Sequence, residues 1–108
     1  MNFNILSTVF FEKELKSLAK KYPSIKKDLS SLIQQLETNP KSGTPIGYNC
    51  FKIRMAISSK GKGKSGGARV ITYVQITHEV IYLISIYDKS ETENISDKII
   101  EYRLRNLK

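Results

Sequence analysis

The residues best able to do chemistry in this chain are cations. Lys52 and Arg54 stand two apart in an apolar run, Lys60, Lys62 and Lys64 alternate with glycine, and Arg69 follows Gly66-Gly67-Ala68. In a strand, the two-residue spacing puts Lys52 and Arg54 on one face, about 7 Å apart. Alternating Lys and Gly strings three charges on a backbone that can approach a sugar-phosphate chain closely. Fixed cations of this kind grip a phosphate and stabilise the charge that builds on it during a displacement. Residues 41–69 hold Lys41, Lys52, Arg54, Lys60, Lys62, Lys64 and Arg69 and no Asp or Glu, in a chain whose net charge is +8. An evenly basic surface serves solubility, whereas a concentrated patch points to a polyanion. Tyr73 and Tyr87 fall in neighbouring apolar runs. Rings that stack on bases beside cations that hold phosphates suit RNA, although a tyrosine in a strand also serves as packing.

Other chemistries find less support. Gly61 to Gly66 spells GxGxxG, but a dinucleotide fold needs a helix after that turn, and here a strand pattern follows. A Walker A loop needs glycine at position 58, which is Ser58. His78 is the single histidine and falls at a turn; no HExxH and no paired His or Cys points to a metal, and no cofactor is expected. Cys50 stands alone and cannot form an internal disulfide. No apolar run approaches the roughly 20 residues that span a bilayer, and the N-terminus lacks a basic segment followed by a long apolar one. Together these favour the cytoplasm, with no membrane partner.

The elements that must position the cations are legible from periodicity. The β-rich run 4–11 opens as a short strand. Phe11, Leu15, Leu18 and Tyr22 then keep helical spacing until Pro23. Ser24 is a candidate N-cap for a second helix, striped by Ile25, Leu29, Leu32, Ile33 and Leu36 and ended by Asn39-Pro40. Residues 41–47 read as a loop from their Gly, Pro and Ser. Phe51, Ile53, Met55 and Ile57 alternate with Lys52, Arg54 and Ala56 as a strand. Residues 58–67 form a basic loop, 68–76 resume a strand, 77–79 turn, and 80–88 pair back. Ile95, Ile99 and Tyr102 or Leu104 stripe a last helix capped by Asn94 or Ser96. The expected fold is therefore α+β: an N-terminal strand and helical hairpin on a small antiparallel sheet, then a C-terminal helix, in one domain over residues 1–108.

Phe51-Lys52-Ile53-Arg54, the run Lys60-Gly61-Lys62-Gly63-Lys64-Ser65-Gly66-Gly67-Ala68-Arg69-Val70-Ile71-Thr72-Tyr73, and Tyr82 to Glu91 together resemble the RelE/ParE toxin superfamily. The glycine-lysine loop is most similar to its HigB-type branch, and the helical hairpin agrees over essentially the whole chain. The resemblance implies the toxin of a bacterial type II toxin–antitoxin system. Such a toxin acts in the ribosomal A site and cuts mRNA there without a metal. The 2′-hydroxyl attacks the adjacent phosphate, leaving a 2′,3′-cyclic phosphate and a 5′-hydroxyl. It further implies a cognate antitoxin as partner, with operator DNA bound only through the antitoxin complex.

Carried over by position, Lys52 and Arg54 match the family's basic strand pair. Arg69 matches the arginine that holds the scissile phosphate, and Lys89 a basic position after the last strand. Lys60, Lys62 and Lys64 would bind RNA or the ribosome. RelE carries further Arg and Tyr residues after its last strand; Ser90 to Ile95 here holds neither, so the general base stays open among Lys52, Lys62, Tyr73, Tyr87 and Glu91. Two other functions fit the sequence. One is a ParE-like inhibitor of DNA gyrase, against which the acid-free window argues, and the other is a non-catalytic RNA-binding module.

Overall fold

The computed structural model describes residues 3–107. The β-rich start of the chain is cut at Thr8: β1 (Asn4–Ser7) gives way at once to α1 (Val9–Lys21). Thr8 is the reason. Its hydroxyl accepts the Phe11 N–H at 3.2 Å and donates to the Leu83 carbonyl at 2.9 Å, so one buried side chain caps the helix and fixes it to the sheet. Phe11 is fully buried behind this cap, a burial that stabilises by roughly 2–3 kcal/mol.

Pro23 separates α1 from α2 (Ile25–Thr38), as the sequence suggests. Ser24 precedes α2 but does not cap it through its side chain. Its hydroxyl lies 2.9 Å from the Asp28 carboxylate and accepts the Ser59 N–H at 2.8 Å, so it ties the helix to the turn Ser58–Lys60.

The remaining strands are β2 (Thr44–Gly47), β3 (Cys50–Met55), β4 (Ala68–Gln75) and β5 (Val80–Asp88). They form one five-stranded sheet in the order β1-β5-β4-β3-β2. Two features depart from expectation. The sheet is mixed, because β1 pairs parallel with β5 while the other pairings are antiparallel. The segment read as a loop contributes β2, where Pro45 is tolerated because the strand lies at the edge.

Both helices of the hairpin cover one face of the sheet, burying Leu15, Leu29 and Leu32 against Ile53, Val70 and Leu83. The other face carries Ile71 and Ile84 under α3 (Asp97–Arg105). Ser96 caps α3 by accepting the Ile99 N–H. The helix turns a different side inward from the stripe expected: Ile100 and Leu104 pack on the sheet, while Ile99 and Tyr102 are exposed. A salt bridge sets that rotation. Arg103 grips Glu14 of α1 with two N–H groups at 2.9 and 3.1 Å. Glu14 in turn accepts the Ser85 hydroxyl at 3.0 Å, where the β4–β5 register slips by one residue. Short α3 covers only part of its face, and β3 and β4 run on beyond it.

Candidate active site

The uncovered end of that face carries one row of side chains across three strands. Arg54 of β3 lies directly opposite Arg69 of β4, and Arg69 directly opposite Tyr87 of β5. Adjacent strands run about 4.8 Å apart, so the three stand side by side. Two arginines in direct register repel. Among the described residues the ion pairs are Lys21–Glu91, Lys60–Asp88 and Arg103–Glu14, so neither arginine of the row has a carboxylate partner. Such an arrangement is stable beside an anion.

Arg69 is held in place rather than neutralised. It is 7% exposed, and it donates to the carbonyls of Lys64 at 2.9 Å, Ala68 at 3.1 Å and Ser65 at 3.4 Å. A guanidinium has five N–H donors, so two stay without a protein partner among the described residues. The loop that supplies the carbonyls is pressed onto β3 at Gly67, where any Cβ would fall 2.2 Å from the Met55 carbonyl oxygen. Lys62 and Lys64 stand exposed on this loop. Lys89 is stapled to it, since its N–H donates to the Gly67 carbonyl at 3.0 Å.

Tyr87 is also 7% exposed, and its buried hydroxyl donates to no protein acceptor among the described residues. Burial pushes its pKa above the usual tyrosine value, and the neighbouring Arg69 charge and the Ile95 N–H pull the other way. One pair back along β3, Lys52 projects on the same face and donates to the Asn94 side chain.

Three sequence candidates lie elsewhere or are engaged otherwise. Lys60 is not a free phosphate-gripping cation: its ammonium sits 2.7 Å from Asp88 and 2.9 Å from the Ser90 hydroxyl, over the Tyr22 ring. Glu91 pairs with Lys21 at the end of α1, on the side of the helical hairpin. Tyr73 lies four residues along β4 from Arg69, about 13 Å by strand rise, and stacks on Tyr82. Cys50, opposite it, is buried, and burial pushes its thiol up to about 11. Asp88 was not among the sequence candidates. The one signal for it is an acid closing an otherwise apolar strand.

A family model described as the RelE toxin of the RelE / RelB toxin–antitoxin system matches residues 7–105. The chain belongs to the RelE toxin family. Two solved structures share its fold. One is a double arginine-to-alanine mutant of the E. coli toxin RelE in the free state, 16% identical, covering 98% of each chain at a TM-score of 0.63. The other is the isolated E. coli RelE toxin, 20% identical, covering 97% of this chain and 99% of that one at a TM-score of 0.55. As a RelE-family toxin the chain acts within a toxin–antitoxin system, with an antitoxin as its partner. In the row Arg54–Arg69–Tyr87, with Lys52 beside it, cations gather without a salt-bridged carboxylate among the described residues.

Proposed function

We propose that this toxin is a ribosome-dependent mRNA endonuclease whose reaction centre is the row Arg54–Arg69–Tyr87 with Lys52 beside it. The observation that carries this reading is two arginines in direct register with no carboxylate partner among the described residues. The 2′-oxygen of one nucleotide bonds to the adjacent phosphorus while the bond from phosphorus to the 5′-oxygen breaks. Charge builds on the non-bridging oxygens in between. Arg69, fixed by its three carbonyls, faces that charge without reorganising, and exposed Arg54 stands opposite it. The leaving 5′-oxygen needs a proton, and Tyr87, beside Arg69, holds one in a buried hydroxyl that the RNA must uncover to reach. The 2′-hydroxyl loses its proton to a base, for which Lys52, once it has shed its own proton to solvent, is the candidate on this face. Lys62, Lys64 and Lys89 bind the flanking phosphates. Cleavage on the ribosome, a cytoplasmic location and the HigB-like branch follow from the resemblance.

Toxin added to translating ribosomes is expected to yield new mRNA 5′ ends within coding regions, and its expression to arrest growth. Arrest with intact mRNA, or gyrase-linked DNA breaks with mRNA spared, overturns the reading. Tyr87→Phe isolates the proton donor. It removes an unpartnered buried hydroxyl, so the melting temperature should hold or rise slightly. Cleavage should fall at least about 100-fold, the smaller end of what proton transfer contributes. Wild-type cleavage by this variant places the hydroxyl outside the chemistry.

A further inference from the structure

Beside the arginine row the sheet has a gap. β2 pairs with β3 only as far as Lys52, opposite Thr44, which leaves the outer edge of β3 unpaired from Ile53 to Met55. The helix α2 runs past this edge at a distance, and the space between them is a groove of about 480 Å³. Leu32 and Ile53 give it an apolar floor, and Ser31, Gln35 and Thr44 give it polar walls. A hydrogen bond of 3.2 Å between Gln35 and Ser42 closes its far end. Lys52, Arg54 and Lys64 line it too, which makes it continuous with the cationic row, and so does Asp28, whose carboxylate is taken up by Ser24 and Ser58.

We propose that this groove seats the base of the nucleotide next to the scissile phosphate and thereby sets the base preference of cleavage. The inference rests on the RNA-cleavage reading. The volume lies in the range of small-molecule sites, with an apolar floor and a few polar groups to fix orientation. Single-stranded RNA is read on the edges of splayed-out bases, and a glutamine amide offers both a donor and an acceptor for such an edge. The unpaired backbone of β3 offers more of the same. A strand added by a protein partner is the less fitting occupant. Three free residues are at the short limit of a strand, and three cations against the one carboxylate of Asp28 suit a polyanion better.

Ser31 is exposed on α2, so Ser31→Phe fills the groove from a position the fold tolerates. Gln35→Ala removes the amide, and Ser30→Phe, one residue away and outside the groove, is the control. The readout is the map and rate of mRNA 5′ ends on translating ribosomes, with circular dichroism melts for each variant. Ser31→Phe should cut at least tenfold more slowly with an unchanged melt. Gln35→Ala should shift the base preference at the cut about tenfold, the scale of one lost edge contact. Ser30→Phe should match wild type. Should Ser31→Phe unfold, Gln35→Ala decides alone. Wild-type maps and rates from both groove variants overturn the proposal while leaving the nuclease reading intact. Normal cutting by Ser31→Phe with lost neutralisation by the antitoxin also overturns it, and makes the groove a protein-docking surface. Failure of the wild-type toxin to cut at all removes the nuclease reading and this inference together.

Discussion

Arg69→Ala is expected to lower single-turnover mRNA cleavage on ribosomes by about 100-fold or more, the usual cost of removing a preorganised charge donor from a site of this kind. The same change removes the clasp on the carbonyls of Lys64, Ser65 and Ala68, so the melting temperature should also fall. Arg69→Lys separates the two roles. A lysine restores the charge but not the planar fork that spans three carbonyls. It should recover little of the cleavage if the loop geometry matters and nearly all of it if charge alone does. Arg54→Ala gives the opposite signature. Arg54 is exposed and faces Arg69 directly, so its loss relieves a repulsion of about 0.2–1 kcal/mol. That variant should melt at or above the wild-type temperature while cutting poorly. Wild-type cleavage by Arg69→Ala would remove the row from the mechanism.

Periodicity carried most of the fold into view because most of its elements are amphipathic and bounded by Pro, Gly or Ser. The exceptions share a cause: in each, a distant partner decided the local structure. Val9 and Phe10 read as strand and became helix because Thr8 found the Leu83 carbonyl 75 residues away. β2 carries a proline and a glycine in four residues and pairs only because β3 offers it an edge. α3 rotates to place Ile100 inward because Arg103 reaches Glu14 on another element. None of these partners is encoded within the segment that it controls.

The site was legible to the same extent. Alternation put Lys52 and Arg54 on one face, and the absence of acids in residues 41–69 marked the patch. Register decided the rest. Tyr73 and Tyr87 look alike in sequence, yet pairing sets Arg54, Arg69 and Tyr87 abreast and leaves Tyr73 at the far end of its strand. Composition counts every lysine alike, so it could not separate exposed Lys62 and Lys64 from Lys60, which faces a buried acid beyond the window.

That acid leads to the second large effect. Lys60→Met is expected to destabilise the toxin by about 3–5 kcal/mol, because it leaves the Asp88 charge buried without its cation. For a domain of this size, that lowers the melting temperature by well over 10 °C. The pair is secluded, with side-chain exposures of 11% for Lys60 and 1% for Asp88. Burial alone would raise the Asp88 pKa. Hydrogen bonds from Lys60, Tyr22 and Ser90 outweigh that and hold the carboxyl far below the usual carboxylate range. A depressed folded pKa contributes stability above the unfolded value of about 3.9 and loses it as the pH falls below that. Lys60 is shifted up, chiefly by its hydrogen bond to Asp88, so its contribution is full below about 10.4 and is lost at higher pH. Melting temperature against pH should therefore fall at both ends in the wild type, and Asp88→Asn should flatten both limbs. Cleavage should fall in Lys60→Met even below its melting temperature. Lys60 closes the turn at the base of the loop whose carbonyls hold Arg69, so loosening it on the helical side reaches the arginine row on the other. If Lys60→Met melts and cuts like wild type, the buried pair does not hold the loop.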